Sequence, residues 1–178
     1  MIPFPNKKYD IIYADPAWEM PNRRLGGGDI SLNYSTMTMQ EISDLPVMDI
    51  AKDDSLLFMW VVSLHLPKCI EIGIDWGFQY KTIVFNWHKQ MPIQTIYTMA
   101  ETEICLLFKR GKIPQPRGKH NIRQFLSCKR GSNSVKPLEI KHRITEMFPT
   151  QSKIELFARP SPLFKGLDDG WDYWGNEV

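Results

Sequence analysis

Ten residues near the amino terminus, Tyr9-Asp-Ile-Ile-Tyr-Ala-Asp-Pro-Ala-Trp18, constrain the fold more than any other stretch of this chain. Ile11, Ile12, Tyr13 and Ala14 form a short apolar, β-prone run with no polar alternation, the pattern of a buried strand covered on both faces. The strand cannot continue through Asp15-Pro16, because proline fixes φ and has no N–H for a ladder. The chain must turn there, leaving an acid, a proline and an indole at the carboxyl end of a strand. In open α/β sheets that edge is where ligands bind.

The residue types at this turn suit one kind of chemistry. A nucleobase amine has its lone pair delocalised into the ring, so it must be held by acceptors while an aromatic face packs on the flat base. Asp15, the Pro16 carbonyl and Trp18 supply that set, and base flipping is the known way to present such an amine from nucleic acid. The plainer alternative is a strand-ending turn with a buried indole.

Other stretches extend the α/β pattern. Ser55-Leu-Leu-Phe-Met-Trp-Val-Val62 reads as a central strand, residues 66 to 76 as an amphipathic helix stopped at Gly77, and 82 to 89 and 102 to 109 as strands. Residues 90 to 101 are expected to be a loop that could face substrate. Thr38-Met-Gln-Glu41 has the form of a capped helix start, giving a short helix to about Ser43. Lys136-Pro137 opens a helix running to about Phe148, residues 152 to 159 form another buried strand, and the segment from Gly170 ends in a short one. Gly26-Gly27-Gly28 lacks the spacing of a phosphate loop and is expected to be a lid, with Tyr34 its base-contacting residue. Glu103, at the entry to a strand, is either solvated or aimed into the pocket.

Charge is unevenly placed. From Lys109 to Arg143 there are eleven lysines and arginines against one acid, Glu139, in a chain whose net charge is only +2. A block of that kind suits a phosphate backbone. The recognition surface is therefore expected at about 110–135, with Arg117, Lys119, Arg123, Lys129 and Arg130 as substrate-binding residues. Three cysteines without Cys-x-x-Cys spacing and four unpaired histidines suggest no metal site. There is no apolar stretch of membrane-spanning length and no signal-peptide pattern, so a cytoplasmic, single-domain protein spanning 1–178 is expected, away from membranes.

Near the carboxyl terminus, Glu155 and Glu177 stand 22 residues apart in consecutive predicted strands, close to the spacing used to hold an adenosine ribose. Ala158-Arg159-Pro160 replaces the usual glycine-rich turn, which disfavours a pyrophosphate and suits S-adenosylmethionine.

Taken in order, Asp15-Pro16-Ala17-Trp18, Tyr34-Ser-Thr-Met37, Leu56-Leu-Phe-Met-Trp60, Ser134-Val-Lys-Pro137, Lys153-Ile-Glu-Leu-Phe-Ala-Arg159 and Gly170-Trp171 with Gly175-Asn176-Glu177 resemble the adenine amino-methyltransferases of the MT-A70 type. The resemblance implies a Rossmann-like S-adenosylmethionine-dependent methyltransferase fold, permuted so that the catalytic block precedes the cofactor-binding strands. It further implies that Asp15 and Pro16 hold the adenine amine, that Trp18 and Tyr34 flank the base, and that Lys136, Arg159, Asn176 and Glu177 contact S-adenosylmethionine. Glu103 falls on a family block and is expected to line the pocket. Ala17 stands where the family usually has a second proline, and Glu177 where eukaryotic members often have glutamine.

The expected activity is methyl transfer to adenine N6 in nucleic acid. DNA is favoured over RNA because the chain is nearly a bare catalytic domain, similar in this to bacterial and bacteriophage enzymes, which would place it in a bacterial cytoplasm. A non-catalytic nucleic-acid-binding subunit and a cytosine amino-methyltransferase are the alternatives. Monomer and homodimer both stay open.

Overall fold

The computed structural model describes residues 3–18, 37–95, 97–129, 135–158 and 170–175. Their centre is a seven-stranded mixed sheet in the order β5-β3-β4-β2-β1-β6-β7. The strands are β1 (Tyr9–Ala14), β2 (Ala51–Val61), β3 (Gln79–Gln94), β4 (Met99–Arg110), β5 (Phe125–Ser127), β6 (Lys153–Leu156) and β7 (Trp171–Trp174). β1 runs parallel to β2 on one side and to β6 on the other, and β6 parallel to β7. The first strand in sequence thus lies between the second and the sixth, the permuted arrangement expected.

Burial explains the strand sequences. Ile11, Ile12, Tyr13 and Ala14 are each at most 1% exposed, so this strand has no solvent face and no reason to alternate. On one face Ile12, Ala14, Leu57 and Met59 pack with Ile42, Ile72 and Trp76. On the other, Ile11, Tyr13, Phe58 and Trp60 pack with Ile140, Ile144 and Phe148.

The helices follow their end signals. α1 (Met39–Ser43) starts at Thr38, whose side chain accepts from the Glu41 N–H while Glu41 accepts from the Thr38 N–H. After α2 (Val47–Ile50), α3 (Leu66–Asp75) carries Pro67 in its first turn and is followed by Gly77 at φ 84°. α4 (Leu138–Met147) follows Pro137 and crosses the opposite face back toward the start of β6.

One expectation fails here. Residues 90–101 are not a loop, because β3 and β4 continue as a hairpin with Ile93 opposite Ala100 and Gln94 opposite Met99. Pro92 does not prevent this, since β5 pairs with β3 only as far as His88 and no strand among the described residues pairs with the outer edge of β3 beyond it. No helix among the described residues is long and apolar enough to cross a membrane.

Candidate active site

The carboxyl ends of the parallel strands converge on one edge of the sheet. β1 delivers Asp15 there, β2 leads through Val62 to His65, β6 leads to Phe157 and Ala158, and β7 leads to Gly175. β4 is antiparallel to β2 and enters the sheet at this edge, with Ile104 opposite Val61 and Glu103 one residue outside. β3 brings Trp87 opposite Glu103, followed by Lys89, and β5 ends here with Ser127, Cys128 and Lys129.

Four charged side chains form a row along that edge. The Lys136 ammonium lies 2.8 Å from both carboxylate oxygens of Asp15 and 3.4 Å from Glu103 Oε2. Lys89 Nζ donates to Glu103 Oε1 at 3.1 Å. Lys89 is only 5% exposed, and Glu103 and Lys136 are also largely buried. Burial alone would raise the Glu103 pKa, but Lys136 and Lys89 outweigh it and hold the carboxyl below its ordinary value. Burial likewise works to lower the pKa of Lys136, and Asp15 and Glu103 overcome it and raise it. At neutral pH the row alternates in sign and its charges cancel.

Aromatic rings lie beneath the charges. Trp60 Nε1 donates to the Tyr13 hydroxyl at 2.7 Å, Trp87 Nε1 donates to the Cys128 carbonyl at 3.0 Å, and the two indoles meet edge to face. Lys136 Nζ lies 5.6 Å from the Trp60 ring centre, near enough for a cation–π contact. This apolar bed keeps water from below the row, so the four charges satisfy one another.

The Asp-Pro turn is tighter than its sequence suggests. The Pro16 carbonyl accepts the Trp18 N–H at 2.8 Å, and the Ala17 carbonyl accepts the Met37 N–H at 3.0 Å. The Pro16 oxygen therefore keeps one lone pair for another donor, where the sequence had suggested an unengaged acceptor. Trp18 is 7% exposed, its ring centre 6.0 Å from that of His65. Its Nε1 is buried without a hydrogen-bond partner among the described residues. At this edge, such a donor is available to a bound molecule.

Asp15, Pro16, Trp18, Glu103 and Lys136 are thus brought to one edge, joined by the exposed Lys129 beyond β5. Arg117 and Lys119 are not. The N–H groups of Gly118 and Lys119 donate to the carbonyls of Met147 and Glu146 at the far end of α4, which is the opposite edge of the sheet. There Lys119 pairs with Glu146 and Arg117 lies over Phe148. Arg123 is exposed ahead of β5, and its carbonyl accepts from Arg143. The basic segment is also less free than its sequence suggests, since Arg110 pairs with Asp53 and Arg143 with Glu139. Tyr34, Arg130, Arg159, Asn176, Glu177 and the glycine run at 26–28 lie outside the described residues.

Sequence reasoning missed Lys89 and His65. Each had a usable signal, a polar side chain just beyond the carboxyl end of an apolar strand run. Lys89 looked like the solvated end of a strand, and His65 lacked a second histidine.

The residues present fit S-adenosylmethionine, a zwitterionic nucleoside without phosphate. A buried ammonium at Lys136 can meet the carboxylate of a methionyl tail, and the Trp18 N–H has no acceptor among the described residues. The exits of β6 and β7 lie close together, for a Cβ on Gly175 would come within 2.6 Å of the Ala158 carbonyl. Phe157 stands at φ 60° where a phosphate-binding strand exit would be glycine-rich. Among the described residues no group of three or more His, Cys, Asp or Glu side chains could hold a metal ion.

Comparison with known proteins agrees with this geometry. The MT-A70 family pattern matches residues 9–177. The Type II methyltransferase M.MunI of Mycoplasma sp is 40% identical over 191 residues, covering 98% of this chain and 79% of that protein. The human N(6)-adenosine-methyltransferase catalytic subunit METTL3 is 28% identical over 188 residues, covering 96% of this chain but 28% of METTL3. The mouse N(6)-adenine-specific methyltransferase METTL4 is 25% identical over 194 residues, covering 97% of this chain and 38% of METTL4. With an acid-bearing first strand set between the second and sixth, and a family match spanning nearly every residue, the chain belongs to the MT-A70 family of S-adenosylmethionine-dependent adenine N6 methyltransferases.

Proposed function

We propose that this chain methylates the N6 amine of adenine in DNA, as a single catalytic unit working in a bacterial cytoplasm. The observation that carries the reading is the Asp15–Lys136–Glu103 cluster at the edge where the parallel strands β1, β2, β6 and β7 end. Similarity to M.MunI over most of that protein's length supports DNA over RNA.

In this reading S-adenosylmethionine supplies an electrophilic methyl group when bound, held by Lys136, Arg159, Asn176 and Glu177. Asp15 and the remaining lone pair of the Pro16 carbonyl accept the two hydrogens of the adenine amine, and Trp18 and Tyr34 flank the ring. Lys136 keeps the Asp15 carboxylate oriented beside the amine. Once alkylated, the nitrogen is strongly acidic and gives its proton to the Asp15 carboxylate. Positioning and charge complementarity supply the acceleration. Glu103 lines the pocket, and Lys129, Arg130 and Arg123 contact phosphates.

The test incubates the purified protein with labelled S-adenosylmethionine and parallel DNA and RNA oligonucleotides, then identifies the modified nucleoside by mass spectrometry. N6-methyladenine in DNA is expected. Asp15→Ala should abolish its formation while leaving cofactor binding by calorimetry largely intact. Activity in that variant would refute the role given to Asp15.

A further inference from the structure

The β3–β4 hairpin extends past the sheet that supports it. β3 loses its β5 partner after His88, and β4 has no β2 partner before Ile104, so among the described residues the two strands from there outward pair only with each other. Its base is the charged row itself, since Lys89 and Glu103 stand where the ribbon leaves the sheet. Residues 90–100 contain no charge, although 24% of the chain is charged. Met91, Ile93 and Met99 are 44–49% exposed, and Tyr97 near the tip is 93% exposed.

The tip is a closed turn. Thr95 N–H and Thr95 Oγ1 both donate to the Thr98 carbonyl, at 2.9 and 2.5 Å, and the Thr98 N–H donates back to Thr95 Oγ1 at 3.2 Å. These bonds hold the backbone so that Tyr97 is presented on an ordered support, which lowers the entropy lost when it is gripped. The four residues of β4 beyond Glu103, 99 to 102, span roughly 14 Å. A two-stranded ribbon fits the major groove of B-DNA, and this reach exceeds the groove's depth of about 8.5 Å.

We infer that this ribbon enters the duplex beside the target adenine and inserts Tyr97 into the base stack as an aromatic wedge, offsetting the unstacking that flipping requires. The inference rests on the DNA-methylating reading of the same edge. A nucleic-acid occupant is favoured over a second copy of the chain because the apolar side chains form no single face. Ile93 with Ala100 and Gln94 with Met99 are successive cross-strand pairs and lie on opposite sides of the ribbon. A wedge between two base steps, by contrast, needs one inserted side chain and no continuous apolar face.

The test compares Tyr97→Ala and Tyr97→Phe with the unaltered protein on unmethylated plasmid DNA, native and heat-denatured, reading N6-methyladenine by mass spectrometry. Tyr97→Ala should lower kcat/KM on native DNA by about tenfold or more and leave denatured DNA within about twofold, because a single strand has little stack to open. Tyr97→Phe should restore the native-DNA rate. Equal loss on both forms, or no loss on either, overturns the wedge. So does a fall in sedimentation coefficient of Tyr97→Ala without DNA, which would make the tip a contact between copies. If the unaltered protein methylates neither form, the DNA-methylating reading itself falls and takes the wedge with it; failure of the wedge alone leaves wild-type methylation intact.

Discussion

Replacing Glu103 with leucine removes the acid that joins the two halves of the charged row while keeping most of its volume. Lys136 retains Asp15 at 2.8 Å, but Lys89, 5% exposed, loses the carboxylate that held it at 3.1 Å. Breaking a buried pair in this way typically costs about 3–5 kcal/mol. There is also a ceiling, because a stranded lysine can shed its proton, which at pH 7 costs about 4.6 kcal/mol from the ordinary lysine value. We therefore expect Glu103→Leu to be about 3–4 kcal/mol less stable than wild type in urea unfolding at pH 7. The ceiling falls by about 1.4 kcal/mol per pH unit, so the deficit should shrink toward pH 9.

On the acid side the wild type loses the same contribution. Glu103 has its pKa lowered in the folded state, so its stabilisation is present above its ordinary value and is lost as pH falls through the lowered one. The gap between the two proteins should thus be widest between mildly acidic and neutral pH. Lys89→Met with Glu103→Leu should recover much of the loss. A Glu103→Leu protein within about 0.5 kcal/mol of wild type at pH 7, or a double variant no better than the single, would refute the coupling argued for this row.

Three further outcomes follow from other parts of the fold. Asp10 accepts from Lys52 Nζ, the Ser152 N–H and the Ser152 hydroxyl, and although burial works to raise its pKa, those bonds together lower it; Asp10→Ala should cost about 2–3 kcal/mol at pH 7, and this difference should fade as pH drops through the lowered Asp10 value, which melts across a pH series would show. Gly73→Ala should destabilise by about 1–3 kcal/mol in spite of alanine's higher helix propensity, because the new Cβ would lie 2.2 Å from the Phe108 ring; equal or higher Tm would mean the ring has room to move. Thr38→Ala removes the acceptor of a complete capping box and should cost about 1 kcal/mol in urea unfolding, with no change in methyl transfer.

Local features were legible in the sequence where local chemistry determines them. The buried first strand, the stop at Asp15-Pro16, the Thr38 cap, the ends of α3 and the proline before α4 all follow from a few adjacent residues. The ribbon at 90–101 did not, because Pro92 and the turn residues look like a loop until the open edge of β3 is known. The charged row was only partly readable. Asp15 and Glu103 lie on separate stretches that only pairing of β1, β2 and β4 brings together, Lys136 reaches them from the segment leading into α4, and Lys89 acquires a partner only across β3 and β4. The basic segment misled for the same reason, since Asp53 and Glu146, which pair with Arg110 and Lys119, lie outside the window in which charge was counted.

The place of β1 between β2 and β6 has a consequence for synthesis. As the chain leaves the ribosome, β1 can pair with β2 early, yet its other edge stays open until β6 follows well over a hundred residues later, a delay on the order of ten seconds at usual translation speeds. Through that interval the nascent protein carries a bare apolar strand and no completed pocket. A newborn chain thus has no assembled site until the last two strands have been made and added beside β1.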